Sequence, residues 1–372
     1  MATTRKGVWD LQQVRDQYLA GEWEQQFELW SWGSGFVGQL GVNNTSYYSS
    51  PVQIPGTTWS SINGSYQHSL ATKTDGTLWA WGRNQAGELG QSNTTTYSSP
   101  IQIPGTTWSS ISGGQFYTIA TKTDGTLWSW GINLQGQLGQ NNRTNYSSPR
   151  QIPGNTWSSI SSGYIHSLAT KTDGTLWSWG YNVSTGQLGQ NNTTRYSSPV
   201  QIPGTTWSSV AAGQYHSLAT KTDGTLWSWG LNSNGQLGQN NATSYSSPIQ
   251  IPGTSWSSIA AGQYHSLATK TDGTLWSWGQ NTSGQLGQSN ITQYSSPRQI
   301  PGTTWSSISG GSAHSLSTKT DGTLWAWGKN SEGQLGKNDR TQYSSPVQIP
   351  GTTWSSISIG KYHSLAIKSL IN

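Results

Sequence analysis

Cysteine is absent from these 372 residues, methionine occurs once, and phenylalanine three times. The missing cysteine excludes a disulfide framework and any cysteine-based metal site. Charge is scarce too: Asp, Glu, Lys and Arg make up 9% of the chain, against roughly 25% in an average globular protein. The charges fall singly, with no Lys/Arg run or basic stripe of the kind that follows a nucleic-acid backbone. The net charge of +5 therefore carries little weight, and no nucleic-acid partner is expected. No apolar stretch approaches the roughly 18 residues of a membrane span. No apolar run follows Met1-Ala2-Thr3-Thr4-Arg5-Lys6, so no signal peptide is read.

Hydrophobic residues are few, at 31%, yet 23 Trp and 16 Tyr are present. Disordered chains are poor in aromatics, and one Trp buries about 150–250 Å². The core is therefore expected to rest on few, large side chains at fixed positions.

Those positions repeat. Trp-Gly recurs with its glycine at Gly33, Gly82, Gly131, Gly180, Gly230, Gly279 and Gly328, and Ile-Pro-Gly recurs seven times in step. The period is that of solenoids and propellers. Around residue 220 one unit holds four strand-sized pieces: A from Trp207, B from His216, C from Thr225 and D from Pro248. Asp223-Gly224 between B and C predicts a two-residue type I′ hairpin. Pro248 at the start of D fits an outer edge strand, where its missing N–H costs nothing. Four short antiparallel strands repeated seven times predict an all-β, seven-bladed β-propeller. A β-solenoid, the competing architecture, stacks parallel strands in place of hairpins. The repeated part starts with a strand C, Glu28–Trp32, and ends with a strand B, His363–Ile367. One blade is thus expected to join the two ends of the chain and close the ring, with residues 1–27 as a leader and 28–372 as the propeller.

The motif Gly213-Gln214-Tyr215-His216-Ser217-Leu218-Ala219, followed by Asp223-Gly224, Trp229-Gly230, Asn232 and Gly235-Gln236-Leu237-Gly238, closely resembles the regulator of chromosome condensation repeat. The resemblance covers about residues 28–368 and implies a seven-bladed propeller. It leaves function open, because on this scaffold function lives in loops. The founding eukaryotic member exchanges nucleotide on the GTPase Ran and binds nucleosomes, and a secreted bacterial member inhibits β-lactamase. No long inserted wedge occurs between these strands, so exchange activity is not carried over. The leader also resembles a short segment of tailed-phage structural proteins. Asp10 and Gln13 form a capping-box pattern, and Leu11, Val14 and Tyr18 share a helical face beside Trp9. That makes the leader either an anchor on a virion protein or a small helix capping one propeller face.

The six histidines (His68, His166, His216, His265, His314 and His363) all occupy one repeat position. A catalytic histidine has special neighbours, and six equivalent copies point to a structural hydrogen bond at the start of strand B. Copies on separate blades also lie too far apart to share one metal ion. The repeated Asp is read as a turn residue, and the paired Trp of strand C as inter-blade packing, with a sugar-stacking platform as the alternative. No unique nucleophile, base or metal cluster stands out, so neither enzymatic activity nor a cofactor is expected.

Comparison of the units with one another separates uniform from variable positions. After Trp-Gly the chain carries Arg83, Ile132, Tyr181, Leu231, Gln280 and Lys329, and farther along the C–D connection Arg143, Arg195, Ile291 and Arg340. A milder set lies between A and B, from Tyr66-Gln67 to Lys361-Tyr362. Because antiparallel strands alternate in direction, A–B and C–D loops share one face, and the uniform B–C and D–A turns form the other. The variable face is expected to present these side chains to a partner, a protein or glycan on a cell surface, with the uniform face anchored through Trp9, Leu11, Val14 and Tyr18. Relaxed selection on surface loops is the dull alternative. The leading expectation is a virion- or tail-associated, or environmental-bacterial, adhesion module, located on a virion or extracellularly. A soluble adaptor or inhibitor comes second, with a cytoplasmic location open to it, and guanine-nucleotide exchange or chromatin binding comes third. A designed or recently amplified repeat protein is also compatible with such regularity.

Overall fold

The computed structural model of the chain describes residues 26–370, together with Gln12 of the leader. Seven four-stranded antiparallel sheets form a seven-bladed propeller. In blade 1, strand A is Trp59–Gly64, B is His68–Lys73, C is Leu78–Gly82 and D is Tyr97–Ile103. The A strands of blades 2 to 6 begin at Trp108, Trp157, Trp207, Trp256 and Trp305. Blade 7 takes A (Trp354–Ile359) and B (His363–Ser369) from the end of the chain, and C (Phe27–Gly33) and D (Tyr48–Ile54) from its start. Its B and C strands pair without interruption from Phe27↔Ser369 to Gly33↔His363, so the ring closes as the repeat phase predicts. The A strands line a central channel, and D is the outer edge.

Two local expectations are corrected. The B–C turn is not type I′: Gly224 donates to the Lys221 carbonyl and Lys221 to the Thr225 carbonyl, both at 3.0 Å. Only the glycine has positive φ, at 79°. This is a type I turn closed by a left-handed glycine, and Asp223 serves it by accepting from the Thr225 N–H at 2.9 Å and hydroxyl at 2.7 Å. Pro248 also does not start strand D, which runs Tyr245–Ile251. It sits in the bulge that breaks the C–D register between Ser228 and Gly230, where an edge strand accommodates a missing donor.

The core lies between blades. Trp207 and Trp229 of blade 4 pack on Leu168, Leu176 and Ile202 of blade 3, and Trp207 meets the rings of Trp227 and Trp229 edge-on at 6.0 and 6.3 Å. Lys221 lies 4.7 and 4.6 Å from the Trp207 and Trp227 ring centres, so the repeated lysines cap tryptophan faces. The Gly-Gln-Leu-Gly signature is the clasp between neighbours. The Gln187 carbonyl of blade 3 accepts from Trp229 Nε1 and from Ser217 Oγ of blade 4, both at 2.8 Å. Gly189, at φ +69°, passes so close to this tryptophan that a Cβ would lie 2.9 Å from Nε1.

The histidines complete the same seam. His166 Nε2 lies 3.0 Å from Ser217 Oγ on the next blade, and His216 Nε2 3.0 Å from Ser266 Oγ. Each such hydroxyl already gives its proton to a backbone carbonyl, of glutamine for the serines and of Glu88 for Thr118, which faces His68, so it must accept from the histidine. That fixes the Nε2–H tautomer and leaves Nδ1 without a partner. In blade 2 the position is Tyr117, whose hydroxyl donates to the His166 carbonyl at 2.5 Å and lies 3.1 Å from Ser167 Oγ, and so links to blade 3 in its own way. The expected structural role of the histidines is thereby placed in named bonds.

Candidate binding face

The A–B and C–D loops lie side by side, because the residue after each Trp-Gly donates its N–H to an A–B loop carbonyl: Arg83 to Gln67, Tyr181 to Ile165, Leu231 to Tyr215 and Lys329 to Ala313, at 2.8–3.0 Å. The face is therefore a set of concentric rings. The innermost, at the mouth of a channel of about 290 Å³, carries Tyr66, Gln115, Tyr164, Gln214, Gln263, Ser312 and Lys361. Next comes the ring of Phe116, Tyr215, Tyr264 and Tyr362, and then that of Arg83, Ile132, Tyr181, Leu231, Gln280 and Lys329. Arg143, Arg195, Ile291 and Arg340 stand on the outer rim.

Side chains of the inner rings touch across blades. Tyr66 packs edge-on against Phe116 at 5.3 Å and Tyr164 at 5.7 Å, Tyr164 against Tyr215 at 5.8 Å, and Tyr215 against Tyr181 at 6.2 Å. Lys361 sits over Tyr66 at 4.1 Å and Tyr362 at 4.7 Å. Gln115 Nε2 donates to the Tyr164 hydroxyl at 2.5 Å, and Gln263 Nε2 to Gln214 Oε1 at 2.5 Å. The result is an aromatic arc over blades 1 to 4, bordered by amides. The A–B positions that build it belong to the milder variable set of the sequence.

Charge and exposed apolar surface are both uneven. The A–B and C–D loops hold seven basic residues and three acidic ones, a net +4. The B–C hairpins hold seven lysines against seven carboxylates, Glu28 and the six turn aspartates, and are neutral. Among the described residues, Ile291 is 63% exposed and Leu134 57%, and Phe36 and Tyr47 are also exposed; these four lie in C–D loops, and Leu370 alone is exposed at the turn face.

Arg83 differs from the presented residue that the sequence suggests. Its guanidinium pairs with Glu88 at 2.6 Å, bonds Gln85 at 2.9 Å and stacks 3.7 Å from the Phe116 ring centre. Glu88 replaces the repeat's glutamine and is fully buried. Burial raises its pKa, while its backbone hydrogen bonds and Arg83 oppose that shift. Arg83→Ala would leave a buried carboxylate uncompensated. The expected loss is about 3 kcal/mol in urea unfolding at neutral pH, with most of it recovered in Arg83→Ala/Glu88→Gln. Arg195 is also engaged, donating to Gln135 of the preceding blade at 2.7 Å. Ile132 and Gln280 are half-buried. Trp9, Leu11, Val14 and Tyr18 lie outside the described residues.

A model of the RCC1-like domain matches residues 148–366, and the regulator of chromosome condensation (RCC1) repeat matches 28–72, 75–121 and 124–170. The chain belongs to the RCC1-like family. The RCC1-like propeller is similar to Prp20p of Saccharomyces cerevisiae at 22% identity and TM-score 0.84, over 94% of this chain and 92% of that one. Yeast RCC1 (Prp20) bound to Kap60 matches at 21% and 0.83, over 94% and 90%. Human WBSCR16 matches at 22% and 0.81, over 92% and 99%. At these identities the likeness concerns the fold. No curated protein sequence matches the chain. The matched repeats begin at residue 28, so nothing among them bears on the leader's resemblance to phage proteins. Among the described residues, no group of three or more His, Cys, Asp or Glu side chains is placed to hold a metal ion.

Proposed function

We propose that this RCC1-like propeller is a non-enzymatic recognition module that engages a macromolecular partner, foremost a protein on a cell surface, through its A–B/C–D face. The carrying observation is the asymmetry of the two faces: the sequence variation, the net positive charge and the exposed Phe36, Tyr47, Leu134 and Ile291 all fall on one of them. A face that combines a basic excess with an arc of packed aromatic rings suits an interaction surface. Protein binding is also what the solved relatives carry in their names, with Prp20 bound to Kap60 and studied for binding to Gsp1p and histones. A glycan is the second ligand class, favoured by the arc of Tyr66, Tyr164 and Tyr215 with Gln115 and Gln214 beside it.

In the same proposal residues 1–27 anchor the module on a virion or tail. Support comes from where the ends emerge: Leu370 donates to the Gln26 carbonyl at 3.0 Å, and Phe27 to Thr57 in a D–A turn at 2.8 Å. Gln26 and Leu370 therefore both lie at the uniform face. A soluble adaptor or inhibitor would use the loop face without the anchor.

Cell-binding and glycan-array assays of the intact chain and of Tyr181→Ala/Leu231→Ala/Lys329→Ala test the reading. Binding is expected to fall about tenfold or more in the triple variant and to persist in Thr172→Ala on the opposite face. A triple variant that binds like the parent would refute it.

A further inference from the structure

We infer that blade 6 forms a carboxylate-binding notch at the channel mouth, into which an acidic segment of a partner protein places a Glu or Asp side chain. The inference rests on the loop face being the partner-binding face. In the other blades the two variable A–B positions always include a large side chain, such as Tyr66, Phe116 or Tyr164. Blade 6 has Ser312 and Ala313, so the ring steps down there, between Tyr264 of blade 5 and Tyr362 of blade 7.

Two ammonium groups lie near the ring of Tyr362, which borders the step. Lys329 is held beside Ala313 by its N–H to that carbonyl at 2.8 Å, and its Nζ lies 5.6 Å from the Tyr362 ring centre. Lys361 Nζ lies 4.7 Å from the same ring on its way to the Tyr66 hydroxyl. Both lysines are half-buried, and the ion pair within reach among the described residues is Arg83–Glu88, in another blade. The acids of blade 6 are turned to their own loop: Glu332 accepts from Ser331 at 3.1 Å, and Asp339 from Asn330 and Tyr343, both at 2.9 Å. His314 below is buried and neutral. Two half-buried cations near a position that carries only Ser312 and Ala313 select a ligand atom of opposite charge. The exposed apolar groups of the surrounding loops suit the flanking residues of a protein segment. Charge complementarity thus names the occupant as an acidic protein segment.

The test titrates the intact chain against a short fluorescent peptide alternating Glu and Tyr, and against its Gln-for-Glu counterpart. Binding is expected to be about tenfold weaker for the Gln peptide, for Lys329→Ala/Lys361→Ala, and for Ser312→Tyr/Ala313→Tyr, which fills the notch without changing charge. Tyrosine stands at these positions in other blades, and unchanged melting curves would confirm that the filled variant folds. Equal affinity for both peptides, or undiminished binding by the filled variant, overturns the inference. Loss confined to Arg143→Ala/Arg195→Ala would keep the loop face and discard the notch. Indifference to every variant on this face would discard both.

Discussion

Acidification is expected to unfold this propeller cooperatively near pH 5, with uptake of nearly six protons. Burial is the first cause that lowers the histidine pKa values, to about 3 for His68, His166, His216, His314 and His363, and to about 4 for His265. The bonding explains why no proton is welcome. Nε2–H is spent on the next blade's hydroxyl, and Nδ1 is buried without a hydrogen-bond partner. In the unfolded chain each histidine titrates near 6.5. A depressed folded pKa means that the stabilisation is fully present above that value and is lost as the pH falls from there towards 3. At pH 5 each site has lost about 2 kcal/mol, or about 12 kcal/mol for six, comparable to the whole stability of an ordinary domain. The turn aspartates do not cause this transition. Their pKa values are lowered mainly by the neighbouring threonine hydroxyls, as Asp223 is by Thr225, so their contribution is lost only at lower pH. Tryptophan fluorescence and proton uptake, followed together, check the prediction. A native signal retained at pH 4 would refute it.

The second large effect is expected at the tryptophans of strand C, and it should differ sharply within one pair. Trp229→Ala removes a fully buried indole, the hydrogen bond to the Gln187 carbonyl and the packing against blade 3. The expected cost is about 4 kcal/mol. Trp227, two residues earlier, is half-buried, bonds Thr225 within its own hairpin at 3.0 Å and shares Lys221 as a lid. Trp227→Ala should cost less than half as much, since solvent fills the space left behind. Denaturant unfolding of the two variants decides this; equal losses would mean that the inter-blade clasp is not the main source of stability.

Much of this architecture was legible because the chain repeats each structural rule six or seven times. The period, the strand phase and the split blade follow from where Trp-Gly and Ile-Pro-Gly begin and stop. The structural reading of the histidines follows from their single repeat position. The turn type was not legible, because Asp223-Gly224 is compatible with a two-residue loop or a longer one, and the Thr225 bonds to Asp223 select the longer. Strand D begins three residues before Pro248 because a bulge, which no sequence periodicity marks, absorbs the proline. At the candidate site, sequence comparison found the variable face but ranked its positions by variability alone. Radial order, set by strand A facing the channel, brings Tyr66, Tyr164 and Lys361 to the centre and leaves Arg143 and Arg340 on the rim. The Arg83–Glu88 pair did leave a signal: two charges entering the same unit five residues apart, one replacing the repeat's glutamine.

In the proposed function the loop face, and not the turn face, meets the partner. Hydrogen exchange of the chain alone and bound to a captured ligand tests it most directly. Added protection is expected at Tyr66–Gln67, Lys329–Asn330 and Lys361–Tyr362, with the Thr-Asp-Gly-Thr turns unchanged. Protection confined to those turns, with the loops exchanging as before, would contradict it.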